Sequence, residues 1–205
     1  MRSRPRNFSK RDMLYGISIL VLLIGICVGA IFANYMNSIQ NEELLQYLNE
    51  FFVRFPQESF SRSAVLQQSF WSHGKTIGIM WALGLGLIGI PFILLAVFIK
   101  GFSYGFTSAF LFIHYGWNGF LFSILSCLPQ SIVLIPGIVF ISAASINFAL
   151  SNYKNNQKYA KERRGKWVEY GLVFLIGLLI VLLTGFIETF ISPIFMQMIM
   201  PEMIG

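Results

Sequence analysis

Glu188, in Gly185-Phe186-Ile187-Glu188-Thr189-Phe190, and His114, four residues before Asn118, are the ionisable side chains at the ends of otherwise apolar stretches. A charge in such surroundings is costly, so each is a functional suspect by default. The chemistry open to Glu188 is a structural contact with Lys75 or His114, a polar contact to a partner, or a proton or ion relay. Bond-breaking chemistry finds few candidates. Intramembrane proteases need a His-Glu-x-x-His helix, paired aspartates, or a Gly-x-Ser-x-Gly with a histidine; the first two are absent, and Gly101-Phe102-Ser103-Tyr104-Gly105 has the third as a bare string, whose two glycines four apart read as a helix-packing pair. Asp12 is the sole aspartate and lies before the first apolar stretch, so two-carboxylate and triad mechanisms lack members. Cys27 and Cys127 stand alone in apolar segments and read as small hydrophobes, with no disulfide or metal spacing. The expectation is a non-enzymatic chain without metal or cofactor.

The elements that must position these residues are apolar blocks at residues 13–33, 76–99, 102–115, 120–150 and 167–191. A helix needs about 20 apolar residues to cross the hydrocarbon core, and only helices or closed barrels satisfy their backbone there. With 56% apolar and 12% charged residues, the chain does not read as a water-soluble domain. The expected fold is a single all-α domain over residues 1–205, a polytopic membrane bundle of five helices. If the last span begins at Trp167, Glu188 lies roughly 31 Å along it, near an interface. The 102–115 block is short, and a re-entrant segment there is the alternative. The first block, at about 20 apolar residues, is longer than a signal-peptide core.

Arg2, Arg4, Arg6, Lys10 and Arg11 precede the first block, and Lys154, Lys158, Lys161, Arg163, Arg164 and Lys166 occupy the loop at 151–166. Lys100, read as part of a turn between the second and third blocks, joins them on one face. Arg54, Arg62 and Lys75 remain on the other. The positive-inside rule then gives a cytoplasmic N-terminus and an external C-terminus. This distribution accounts for the net charge of +6 through topology and anionic lipid headgroups, without nucleic acid.

The outer loop, residues 34–75, carries Leu44, Leu48, Phe51, Phe52 and Phe55 at helical spacing, with Glu42, Glu43, Gln46, Asn49 and Glu50 between them. This is an amphipathic helix stopped by Pro56. It lies on the bilayer, on the mouth of the bundle, or against an extracytoplasmic partner, for which Phe51, Phe52 and Phe55 are the aromatic candidates, with Glu188 and His114 beside them. Gly101 and Gly105 suit close helix packing, within one chain or between copies in a homo-oligomer. Pro129 and Pro136 kink the fourth span, where Gln130 and Ser131 are placed to bond freed backbone carbonyls. A carrier would need matched broken helices in two halves, and only one proline-broken helix is present.

Three segments resemble the stage II sporulation protein M family. They are Lys100-Gly101-Phe102-Ser103-Tyr104-Gly105-Phe106-Thr107, then Leu128-Pro129-Gln130-Ser131 with Pro136, then Gly185-Phe186-Ile187-Glu188-Thr189-Phe190-Ile191-Ser192-Pro193. The resemblance covers almost the whole chain. In the broader family the fourth span more often reads Pro-His-Gly-x-x-Glu; here Gln130, Ser131 and Leu134 stand at those places, while Glu188 matches. The resemblance implies a non-enzymatic role in engulfment during endospore formation. The family's partners are the stage II sporulation proteins D and P, which are peptidoglycan hydrolases. The implied place is the septal membrane of the mother cell, and the implied task is to anchor those hydrolases.

Overall fold

The computed structural model describes residues 10–54, 62–154 and 160–196. These form α1 (Lys10–Asn34), α2 (Ser38–Arg54), α3 (Arg62–Leu83), α4 (Gly89–Lys154) and α5 (Ala160–Phe190), with no strand among them. Among the described residues, three helices are long and apolar enough to cross a membrane: α1, α4 and the segment Gly165–Met196 that contains most of α5. The protein is a helical membrane protein. Phe55, Pro56 and much of the basic loop at 151–166 lie outside the described residues.

α4 is two helices folded against each other. Gly116 interrupts it with φ 61° and ψ −142°. With no Cβ, glycine enters that region, which other residues avoid. The first limb is residues 89–115 and the second 117–154. Ser108 and Ser123 bond across the reversal at 2.8 Å. A straight helix would separate them by roughly 22 Å. The turn expected at Gly116–Gly119 is thus a hairpin bend. Beyond it, Pro129 and Pro136 stay within a helix assigned without interruption.

The block at 76–99 is not one helix. α3 stops at Leu83, and Gly84–Ile88 form turns closed by bonds such as Gly86 N–H to Leu83 O and Gly89 N–H to Gly86 O. Gly84 backs onto Tyr170 and Ser145, where any side chain would collide. α4 restarts at Gly89, with Pro91 in its first turn, where its missing N–H costs nothing. Two expectations change. Lys100 does not lie in a turn but roughly 16 Å into the first limb of α4. The polar stretch from Arg62, assigned to the outer loop, is helical and continuous with the apolar residues of α3.

α1 packs on the first limb of α4 along a glycine seam. Gly25 and Gly29 face the backbone at Phe98 and Phe102, while Gly101 and Gly105 face that at Leu22 and Ile26. In lipid, close backbone approach of this kind takes over the role that the hydrophobic effect plays in water. Ser18 bonds Ser142 at 3.0 Å, joining α1 to the second limb. α3 and α5 share a reciprocal clasp: the Trp81 indole donates to Tyr170 O at 3.0 Å and the Tyr170 hydroxyl to Trp81 O at 2.5 Å. The core among these helices includes Ile77, Met80, Ile93, Val97, Leu134, Ile141 and Val181.

Candidate functional site

Polar groups from four segments gather around Glu188. Its Oε2 accepts the Ser69 hydroxyl at 2.5 Å and lies 3.1 Å from His73 Nε2. Ser69 and His73 are four residues apart on α3, so one helical face presents both to α5. Lys100 of the first α4 limb lies within electrostatic reach of Glu188. Tyr104, one turn further along, is within hydrogen-bonding reach of Ser131 on the second limb.

Geometry and burial decide what this cluster can do. His73 is 8% exposed, and its Nδ1 has no partner among the described residues. Gln130 Oε1 and Thr184 Oγ1 are likewise buried without one. The site therefore combines a carboxylate bridged to two donors, an ammonium nearby, and spare polar atoms. It can lock helices together, exchange a proton, or hold a small polar ligand. Among the described residues, no group of three His, Cys, Asp or Glu is placed to hold a metal.

Glu188 therefore meets His73 and Ser69, rather than Lys75 or His114. Lys75 instead lies over the Trp71 ring, 5.1 Å from its centroid. His114 packs on Phe110 with ring centroids 4.5 Å apart. Ser131 donates to Cys127 O at 2.6 Å, four residues back along its own helix. That carbonyl is not the one released by Pro129, which would be Leu125's. Sequence reasoning missed His73, Ser69, Lys100 and Tyr104. The Ser69–His73 spacing is visible in the sequence, but the polarity of residues 62–75 points to a loop.

The second candidate region is α2, seated on the bend at Gly116. Phe52 is 3% exposed and packs edge-on against Tyr115 and Phe122, with centroids at 5.5 and 5.2 Å. Leu48, Phe51 and Met196 complete this small core. The Tyr115 hydroxyl donates to Asn49 Oδ1 at 2.7 Å. Phe52 is thus spent within the chain, and the open face of α2 is Glu42, Glu43, Gln46 and Tyr47.

The family profile for stage II sporulation protein M matches residues 18–193, from within α1 to just past α5. The chain belongs to the stage II sporulation protein M family. The matched span takes in the glycine seam, the Gly116 bend and the Glu188 cluster. Comparison with curated proteins and with solved structures returns no match. Family membership and apolar helices together identify a sporulation membrane protein.

Proposed function

We propose that this protein is a non-enzymatic scaffold that recruits peptidoglycan hydrolases, the stage II sporulation proteins D and P, to the septal and engulfing membrane. In this reading it crosses five times, through α1, α3, both limbs of α4, and α5. The N-terminus is cytoplasmic and the C-terminus external. Eleven of the fifteen basic residues then flank the cytoplasmic side, while Lys100 no longer counts toward it. The observation that carries the scaffold reading is the seating of α2. Phe52 fixes this helix on the Gly116 bend, so its acidic face is held outward on a packed base. An interaction surface on a rigid element avoids the ordering cost that a floppy loop would incur on binding.

The test places a photo-crosslinking residue at Tyr47 in sporulating cells. Capture of either hydrolase supports the reading. If only residues near Arg163 capture them, the docking face is cytoplasmic and the reading fails. Topology has its own check. With Cys27 and Cys127 replaced, a cysteine at Asn156 should resist an impermeant thiol reagent in intact cells.

A second reading, a small-solute or ion carrier, is favoured by one observation: the partnerless Nδ1 of His73, which contacts Glu188 through its other ring nitrogen, together with the buried and partnerless Gln130 Oε1. It requires flux through liposomes containing the purified chain, lost in Glu188→Gln and in Gln130→Leu. Absence of flux leaves the scaffold reading alone.

A further inference from the structure

At the end of the bundle opposite the Gly116 bend, α1, the second limb of α4 and α5 diverge around a cavity of about 310 Å³. Arg11 enters from the start of α1 and Lys166 from the start of α5, so the two cations come from separate helices. Ala143 and Ala144 leave room on the α4 wall. Phe140 and Val173 line it as apolar groups, and Tyr15 and Asn147 add a hydroxyl and an amide. Arg11 marks the start of the apolar run of α1, and Lys166 immediately precedes Trp167, so both lie at the level where aqueous flank gives way to hydrocarbon.

We infer that this cavity binds the headgroup of an anionic glycerophospholipid, with Arg11 and Lys166 on its phosphodiester. Basic pockets between helices at the membrane surface suit lipid phosphates, because cations from two elements converge on one anion while the apolar lining accepts the top of an acyl chain. Glu169 also lines the cavity, so with Arg11 and Lys166 it leaves a net single positive charge. That balance matches a headgroup with one negative charge and no amine of its own. A soluble phosphate shares the anion but has no use for the apolar lining. The site lies at the far end from α2 and does not rest on the scaffold reading.

The test is native mass spectrometry of the detergent-purified full chain, titrated with phosphatidylglycerol or phosphatidylethanolamine of matched acyl chains. One phosphatidylglycerol should be retained at least tenfold better than phosphatidylethanolamine. The double variant Arg11→Gln/Lys166→Gln should lose that preference, while Lys10→Gln/Lys75→Gln, with the same loss of charge outside the cavity, should keep it. The swap Arg11→Lys/Lys166→Arg preserves both charges and should retain the lipid, separating loss of the site from loss of the fold. Equal retention of the two lipids overturns the proposal, as does equal weakening by both double neutralisations, which would mean only a diffuse basic surface. Displacement of phosphatidylglycerol by millimolar inorganic phosphate, with phosphate bound in its place, would assign the cavity to a soluble anion instead.

Discussion

His73 Nε2 lies 3.1 Å from Glu188 Oε2, joining two helices that the sequence separates by 115 positions. Ser69 donates to the same oxygen, so one carboxylate atom ties two turns of α3 to α5. Interhelical hydrogen bonds within membranes contribute about 0.6 kcal/mol on average, and up to about 1.7. Glu188→Ala should therefore lower bundle stability by about 1–3 kcal/mol, because it orphans both donors. A double-mutant cycle with His73→Ala should return a coupling of about 0.5–2 kcal/mol. Additive effects in unfolding by denaturant would show that the contact carries no energy.

Filling the glycine seam should expel α1. Gly105 faces the backbone at Ile26 with no room for a side chain. Cysteines placed at Phe32 and Phe102, whose rings lie 5.6 Å apart, should cross-link readily in the native seam. Adding Gly105→Leu should abolish that cross-link, and an undiminished yield would mean the seam is not tight.

Phe52→Ala should release α2 while sparing the bundle. The side chain is almost fully enclosed on the water-facing end, where truncating a buried phenylalanine costs about 3–5 kcal/mol. Limited proteolysis should then cut within Ser38–Arg54, whereas contacts such as the Trp81–Tyr170 clasp persist by tryptophan fluorescence. Unchanged resistance to protease would refute this.

The bend at Gly116 should tolerate no side chain. Gly116→Ala forces a Cβ into positive φ, at a cost of about 1–3 kcal/mol. There is open space around Gly116, so the penalty is one of backbone conformation and not of collision. Thermal unfolding should fall for Gly116→Ala and fall no further for Gly116→Val than β-branching explains.

Much of the helical content was legible because apolar length in a bilayer has few solutions. The bend at Gly116 announced itself through Gly-Trp-Asn-Gly, and the α2 periodicity was plain. Two boundaries escaped. Gly84-Leu85-Gly86-Leu87-Ile88 carries no polar residue, and a turn without polar residues is indistinguishable by hydropathy from a helix interior. The cue is steric: closely spaced glycines followed by Pro91 mark a stop and restart, yet the same glycines also suit helix packing. Conversely, residues 62–75 looked like loop because they are polar, yet they form the half of α3 whose Ser69 and His73 serve Glu188. The partner of Glu188 depends on helix rotation and depth, which one sequence without a structure does not supply. Lys100 followed from the same error, since moving one turn carries a charge from the membrane surface to its interior.

The glycine seam has a consequence for how the chain is made. α1 emerges first, yet the surface it fits is the first limb of α4, made only after α2 and α3. Until residues 98–106 enter the bilayer, the grooves at Gly25 and Gly29 face lipid or whatever small-residue helix drifts past. The order of synthesis thus creates an interval in which a stray helix can occupy the seam. A bulky residue at Gly25 or Gly29 would act on that interval before it ever acted on the finished bundle.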